Sequence, residues 1–339
     1  MKRLAYIVSV LVFFIGCTLI DDDLSVCGTD YIINYEMRLV TDMQMTINEE
    51  LSLDIEQKMA DTLRHWLAPT TSGHAHDLDV SFYSLDGTDE LKHHWNEVID
   101  ATQKSYTLYI PREDYMHLAV VNIAENDNVS LSGAQHSATM RLNQKEMDTL
   151  PSHPTAIFTA REKMEMLSMN DSILQFDVHL YMVSSAVALV VDSIEVPVTS
   201  MKVLLSGTAT GFEVKDSVFT YAHPSLIRME RLTDQCYAAV AWPSRDEQTA
   251  AAPCLAGAPR KTAQEDEPAY WELRAYVNLP DGTTTETVLS VHKPLLAGTL
   301  EIICVNMKGD GSLQPIGKPE VGASVQLDWK DGSTHEIEI

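Results

Sequence analysis

Basic residues are scarce in this chain. Its 24 Lys and Arg stand against 49 Asp and Glu, a formal net charge of −25 over 339 residues. Such a chain repels nucleic-acid phosphates and anionic lipid, so neither is an expected partner. Aromatic residues are also few, at 7%, which leaves little material for exposed stacking platforms. The sequence contains no G-x-S-x-G elbow, no H-E-x-x-H, no P-loop and no G-x-G-x-x-G, and so lacks the local geometries on which those chemistries rest. No catalytic residue, cofactor or small-molecule substrate is therefore expected. Cysteines number five, in no zinc-ligand spacing. The only long apolar run, Leu4–Ile15 interrupted by Ser9, falls short of the about 20 residues of a membrane-spanning helix.

That run follows Lys2 and Arg3 and ends in Gly16-Cys17, the layout of an export signal with a cysteine at its small-residue end. It resembles a bacterial lipoprotein signal, in which residues 1–16 are removed and Cys17 becomes the lipid-bearing N-terminus. Two or more acyl chains anchor stably where one binds only marginally. Phe14 stands where Leu is usual in such signals. Residues 17–29 then form an acidic linker with Asp21, Asp22 and Asp23. The triad resembles the surface-export signal of Bacteroidetes-type lipoproteins, and it equally suits a solvated like-charge run. Without Lys2 and Arg3 the net charge becomes −27. Cys27, Cys236, Cys254 and Cys304 remain, an even number in an oxidising compartment, with their pairing open. Cys304, in an apolar strand pattern, also suits a buried thiol.

Alternation of period two marks strands along most of the chain. Tyr31, Ile33, Tyr35, Met37 and Leu39 share one face of a segment whose other face carries Asn34, Glu36 and Arg38. Leu51, Ile55, Met59, Leu63 and Trp66/Leu67 recur at helical spacing, and Pro69 is expected to close that helix. Strands are expected at 77–84, before an Asp86-Gly87 turn, and at 105–111 and 115–123, with a helical turn near 141–150. Further strands are expected at 172–183, 186–196, 199–206, 217–221 and 237–242. Residues 244–268, rich in Ala, Pro and charge, read as a mobile loop. Hairpins follow at 271–291 around Asp281-Gly282, a strand at 299–307, and a last hairpin at 324–339 around Asp331-Gly332. This pattern predicts an all-β chain with minor helix, in two tandem β-sandwich domains at 30–160 and 161–339.

Candidate metal ligands are thin. His74-Ala75-His76-Asp77 would place both rings on one strand face, yet Thr70–Gly73 puts the cluster at a loop and no third ligand has diagnostic spacing. His93-His94 lies beside Trp95, the one tryptophan expected to be exposed; Trp66, Trp242, Trp271 and Trp329 read as core. No metal site is expected.

Several segments in order resemble the FimB-type fimbrial anchor family of Bacteroidetes-type (type V) pili. They are Cys17 with Asp22–Cys27, the 31–40 strand, the helix, and DLDVSFYSLDG at 77–87. YTLYIP at 106–111, Tyr115 and 117–124, PLLAG at 294–298, and VGASVQLDWKDG at 321–332 follow. The 244–268 segment, with Cys254, departs from the family. The resemblance implies two transthyretin-like sandwiches and a non-enzymatic outer-membrane lipoprotein, surface-exposed and part of a fimbrium. Such a protein binds a pilin or shaft subunit by β-strand addition. Arg38 is a possible trypsin-like processing point inside a strand. A glycan-binding surface lipoprotein is the alternative, and would rest on Trp95. Substitution Cys17→Ala is expected to abolish incorporation of labelled palmitate and release the protein from the membrane fraction, read by autoradiography and fractionation.

Overall fold

The computed structural model describes residues 30–40, 57–71, 77–88, 90–98, 105–124, 126–132, 139–142, 149–165, 173–222, 225–245, 269–317, 321–328 and 334–337. Cys17, Asp21, Asp22, Asp23, Cys27, Leu51, Ile55, His74, His76, Cys254, Trp329, the Asp331-Gly332 turn and nearly all of the expected 244–268 loop lie outside them. The chain is all-β with one described helix.

In chain order the elements begin with β1 (Asp30–Val40), α1 (Gln57–Thr71), β2 (Asp77–Ser84), β3 (Leu91–Val98), β4 (Ser105–Pro111) and β5 (Tyr115–Val121). Next come β6 (Val129–Ser132), β7 (Thr139–Leu142), β8 (Leu150–Pro151), β9 (Phe158–Met164), β10 (Ile173–Met182), β11 (Ser185–Ile194) and β12 (Ser200–Ser206). Then follow β13 (Gly211–Glu213), β14 (Val218–Thr220), β15 (Leu226–Arg228), β16 (Glu230–Arg231) and β17 (Cys236–Ala241). The chain ends with β18 (Trp271–Asn278), β19 (Thr284–Val291), β20 (Leu300–Met307), β21 (Leu313–Pro315), β22 (Val321–Asp328) and β23 (Thr334–Ile337).

These strands form a 7-stranded sheet β3-β2-β5-β9-β10-β1-β4 and a 5-stranded sheet β16-β17-β11-β20-β21. A second 7-stranded sheet runs β23-β22-β19-β18-β12-β15-β8, and a 4-stranded one β14-β13-β7-β6. The 5-stranded sheet lies between two cores. Ala186, Ala188 and Val190 of β11, with Cys236, Ala238 and Val240 of β17, join the core of the first sheet and α1. Their neighbours Val187, Leu189, Val191, Tyr237, Ala239 and Ala241 join the core of the second 7-stranded sheet. Strands buried on both faces read as continuous apolar runs, which is how Ala186–Val191 reads. The expected division after residue 160 falls inside β9, and β10, from the second half, pairs in parallel with β1.

The helix differs from its sequence pattern at its end. It continues to Thr71, with Pro69 in the final turn. There the missing Pro N–H costs one bond to His65, while Leu63 and Leu67, wholly buried, hold the helix down at ~1.5–3 kcal/mol each. Arg141 and Leu142 belong to β7 rather than to a helical turn, because β7 finds partners in β6 and β13. Strands β3 and β9 have no clean alternation in sequence. In β9 the run Arg161-Glu162-Lys163 interrupts the inward series Phe158, Ala160 and Met164.

The Asp-Gly turns share one construction. Oδ1 of Asp86, Asp281 and Asp310 accepts both the backbone N–H and the hydroxyl of Thr88, Thr283 and Ser312, over 2.6–2.9 Å. Only the glycine takes positive φ in each (Gly87 92°, Gly282 86°, Gly311 82°), as in a type I turn followed by a left-handed residue. Gly207 answers a different need. With φ 86°, an added Cβ would lie 2.8 Å from Trp271 Cα and 2.9 Å from the Tyr270 carbonyl, both backbone. Gly207→Ala is expected to destabilise by at least about 2 kcal/mol, and Gly87→Ala, in open space at φ 92°, by only about 1 kcal/mol. Denaturant midpoints at constant m-value would read both.

Candidate strand-addition interface

A site for strand addition needs a backbone edge, so the placement of β1 and the sheet ends decides what is available. Strand β1 is not an edge. From Ile32 to Val40 it pairs in parallel with β10, and from Asp30 to Glu36 it pairs antiparallel with β4. Tyr31, Ile33 and Tyr35 are wholly buried and Met37 nearly so, as the alternation predicts. Arg38 points outward, 3.7 Å from Glu36 and 3.8 Å from Asp177. Its peptide bonds sit within the register Arg38↔His179, so a protease would need this strand to leave the sheet first.

The two ends of the first sheet approach each other. Trp95 of β3 and Tyr106 of β4 pack with their rings tilted at 57° and centroids 5.0 Å apart, and both are half-buried against the first core. Trp95 is therefore not an exposed platform. It sits opposite the inward-facing Val80, so the pleat turns it toward the core. Trp66 is half-buried too, its indole N–H donating to the Glu230 carboxylate at 3.0 Å. Trp242 and Trp271 are core, 1% exposed.

The outer face of β4-β1-β10 carries an apolar row that sequence reasoning missed. Ile32 lies in register with both Tyr109 and Ile173, and those two are 63% and 59% exposed. The signal was present in the outward positions of β1, but the row exists only once β4 and β10 flank it. It stands at the end of β1 where the chain enters from the acidic linker.

The described members of the histidine clusters and the two described cysteines have structural employment. Asp77, the carboxylate of the His74–Asp77 cluster, is buried and accepts the N–H groups of Ile123 and Ala124 at 3.0 Å each, ordering the exit from β5. His94 bonds Asp79 at 3.0 Å, and His93 packs on Phe82. Among the described residues no group of three His, Cys, Asp or Glu is placed to hold a metal. Neither Cys236 nor Cys304 forms a disulfide among the described residues. Both lie in register with Val190, on opposite sides of β11. Two strand spacings put their Cα atoms roughly 10 Å apart, beyond disulfide reach. Burial pushes the Cys236 thiol up to about 12, so it is no nucleophile.

Two imidazoles are wholly enclosed. Tyr35 and His117 share a 2.9 Å hydrogen bond, ringed by Phe82 and Phe176. Burial, with the nearby Glu162 charge, holds the Tyr35 phenol protonated. Burial lowers His117 to about 3 and His153 to about 4 from 6.5. His153 packs edge-on against Trp242, and neither of its ring nitrogens has a hydrogen-bond partner among the described residues. Below pH 6.5 the unfolded chain binds more protons than the folded one, so this stability, full above 6.5, is lost as pH falls toward 4. His153→Leu is expected to hold stability at pH 7 within about 1 kcal/mol. Between pH 7 and pH 4 it is expected to lose about 3 kcal/mol less than the parent; urea titrations at each pH read the difference.

The sequence matches no protein-family model and no curated protein. Among solved structures it is similar to the fimbrial anchor protein Mfa2 from Porphyromonas gingivalis, at 13% identity over 90% of this chain and 100% of that one, TM-score 0.42. It is similar to the tip fimbrial protein Mfa3 from the same organism, with C-terminal truncation, at 10% identity over 88% and 100%, TM-score 0.42. A candidate adhesin from Bacteroides ovatus is similar at 12% identity over 90% and 99%, TM-score 0.46.

Proposed function

We propose that this chain is a surface lipoprotein that anchors or assembles a fimbria, held in the outer membrane by lipid on Cys17 and binding a pilin by β-strand addition. The role is one of binding, without catalysis or cofactor. One observation carries the reading: β1, the first described strand, is interior to a sheet and bonded on both sides. A lipid thirteen residues upstream of Asp30 is then tied to the fold through a covalent tether and a paired strand. A pull on the distal end of a fibre would have to strip β1 from two neighbours before the tether came free. The ordered sequence resemblance to fimbrial anchors supports the same reading.

Strand addition suits an all-β surface protein because main-chain hydrogen bonds supply affinity while alternate side chains set register. Glycan binding is the weaker reading here, since Trp95 faces the core. The test is purification from its own cells in mild detergent, comparing wild type with Cys17→Ala. Wild type is expected to retain a ladder of pilin subunits, and the variant to shed fibres into the medium. If no fibre protein accompanies either form, the fimbrial role is wrong.

A further inference from the structure

In chain order, the described strands pass between the first sheet and the other sheets at three places: after β5, before β9 and after β10. All of them lie at one end of the first sheet. Val121, the last residue of β5, is in register with Phe158, the first of β9, and Phe158 with Met182, the last of β10. Strand β1 reaches this end with its C-terminus, since Val40 lies beside Tyr181. Its N-terminus is at the opposite end, where Asp30 meets Pro111 and Ile32 meets Ile173. The nine register pairs from Ile32 to Val40 set the two ends roughly 26 Å apart.

The exit from β10 is firmly fastened. Val183 donates its N–H to the Ile157 carbonyl at 2.9 Å, and the Gly298 N–H donates to the Ser184 carbonyl at 2.7 Å. The Ser184 hydroxyl accepts the Ile157 N–H at 3.0 Å, and Ser184 is wholly buried. Only these two residues separate β10 from β11, the strand that faces both cores. There is little slack through which β10 could yield.

A force between the N-terminal tether and the second half of the chain therefore runs lengthwise along β1. Strand β1 is drawn toward its N-terminus and β10 toward its C-terminus. Because the two are parallel, the ladder between them is sheared, and its bonds are strained together rather than one after another. Had β10 run antiparallel to β1, its exit would lie beside Asp30 and the pair would peel from that end. Strand β4 adds seven register pairs on the other side, Asp30 to Glu36. The inward row Tyr31, Ile33, Tyr35 and Met37 would have to leave the core in the same movement. Tyr35 also shares its 2.9 Å bond with His117 of β5, another of the strands that lead out. We propose that β1 is a shear clamp. Its parallel ladder to β10, backed by β4 and by the Tyr35–His117 bond, carries tension from the fibre to the lipid and fails as a unit. This rests on the fimbrial anchoring proposed above and specifies how that anchor resists force.

The test is single-molecule pulling on the full mature chain, with one handle fused ahead of Thr18 and a second at a chosen surface residue. At Leu296, 52% exposed and in the turn whose Gly298 bonds Ser184, the second handle loads β1 lengthwise. At Asp114, just beyond the Pro111 that pairs with Asp30, it peels β1 from its start. The first rupture is expected at a force at least about twofold higher from Leu296 than from Asp114, because peeled bonds break singly. Tyr35→Phe keeps the ring and drops the bond to His117, and is expected to shorten the lifetime at a fixed lengthwise force by about tenfold. Equal rupture forces in the two geometries, or a lifetime that Tyr35→Phe leaves unchanged, would overturn the clamp. Fibres still retained by wild type on purification would then leave the fimbrial role standing without it. No fibre protein with wild type would remove the source of the tension, and the proposal with it.

Discussion

The packing of β11 against two cores at once is the constraint on which the rest of the molecule depends. Its alternating Ala186-Val187-Ala188-Leu189-Val190-Val191 sends small residues toward the first sheet and larger ones toward the second. β17 also faces both cores, with Ala238 toward the first and Ala239 toward the second. Small side chains let neighbouring layers approach closely, and a single buried sheet then serves both. Enlarging Ala188 or Ala238 would press on close-packed neighbours with nowhere to go. The two halves of the chain are therefore mechanically continuous through this sheet, which suits a protein proposed to bear load between a membrane and a fibre.

Polar groups in the interior obey the same economy. Asp77 orders the chain leaving β5 by accepting two N–H groups. Thr285 and Thr287, facing inward from β19, are satisfied by the Asp310 carbonyl and the Leu313 N–H of the β20–β21 hairpin. That hairpin is in turn shaped by the Asp310-Gly311-Ser312 turn. A turn motif legible in three adjacent residues thus completes hydrogen bonds for buried threonines more than twenty residues away. Residues whose type hinted at chemistry, Asp77 and His93 among them, are engaged in holding backbone or filling core.

Edges are managed differently in the two parts of the first sheet. β3 and β4 are drawn together by Trp95 and Tyr106, and β1 is sealed between two partners. β9 and β10 are left splayed with a carboxylate between them. An inward-facing charge at an open edge is a known way of discouraging indiscriminate pairing.

Sequence alone determined the strand character of most of the chain, because period-two alternation is a local property that survives whatever the strand pairs with. It determined the inward face of β1 residue by residue, the turns at Asp86-Gly87 and Asp281-Gly282, and an acidic, β-rich chain. It could not show β3, where Lys92, His93 and His94 break the pattern, nor β9, where three charged residues in a row conceal a core strand. The helix end past Pro69 was also hidden, since tertiary burial of Leu63 and Leu67 outweighs one lost hydrogen bond. The candidate site was less legible still. Tyr109, Ile32 and Ile173 are far apart in the chain and form one row only through parallel pairing of β1 with β10. The short β9–β10 ladder, with Glu162 bonded to the His179 N–H, is likewise set by which strands the whole fold brings together, not by the residues of either strand.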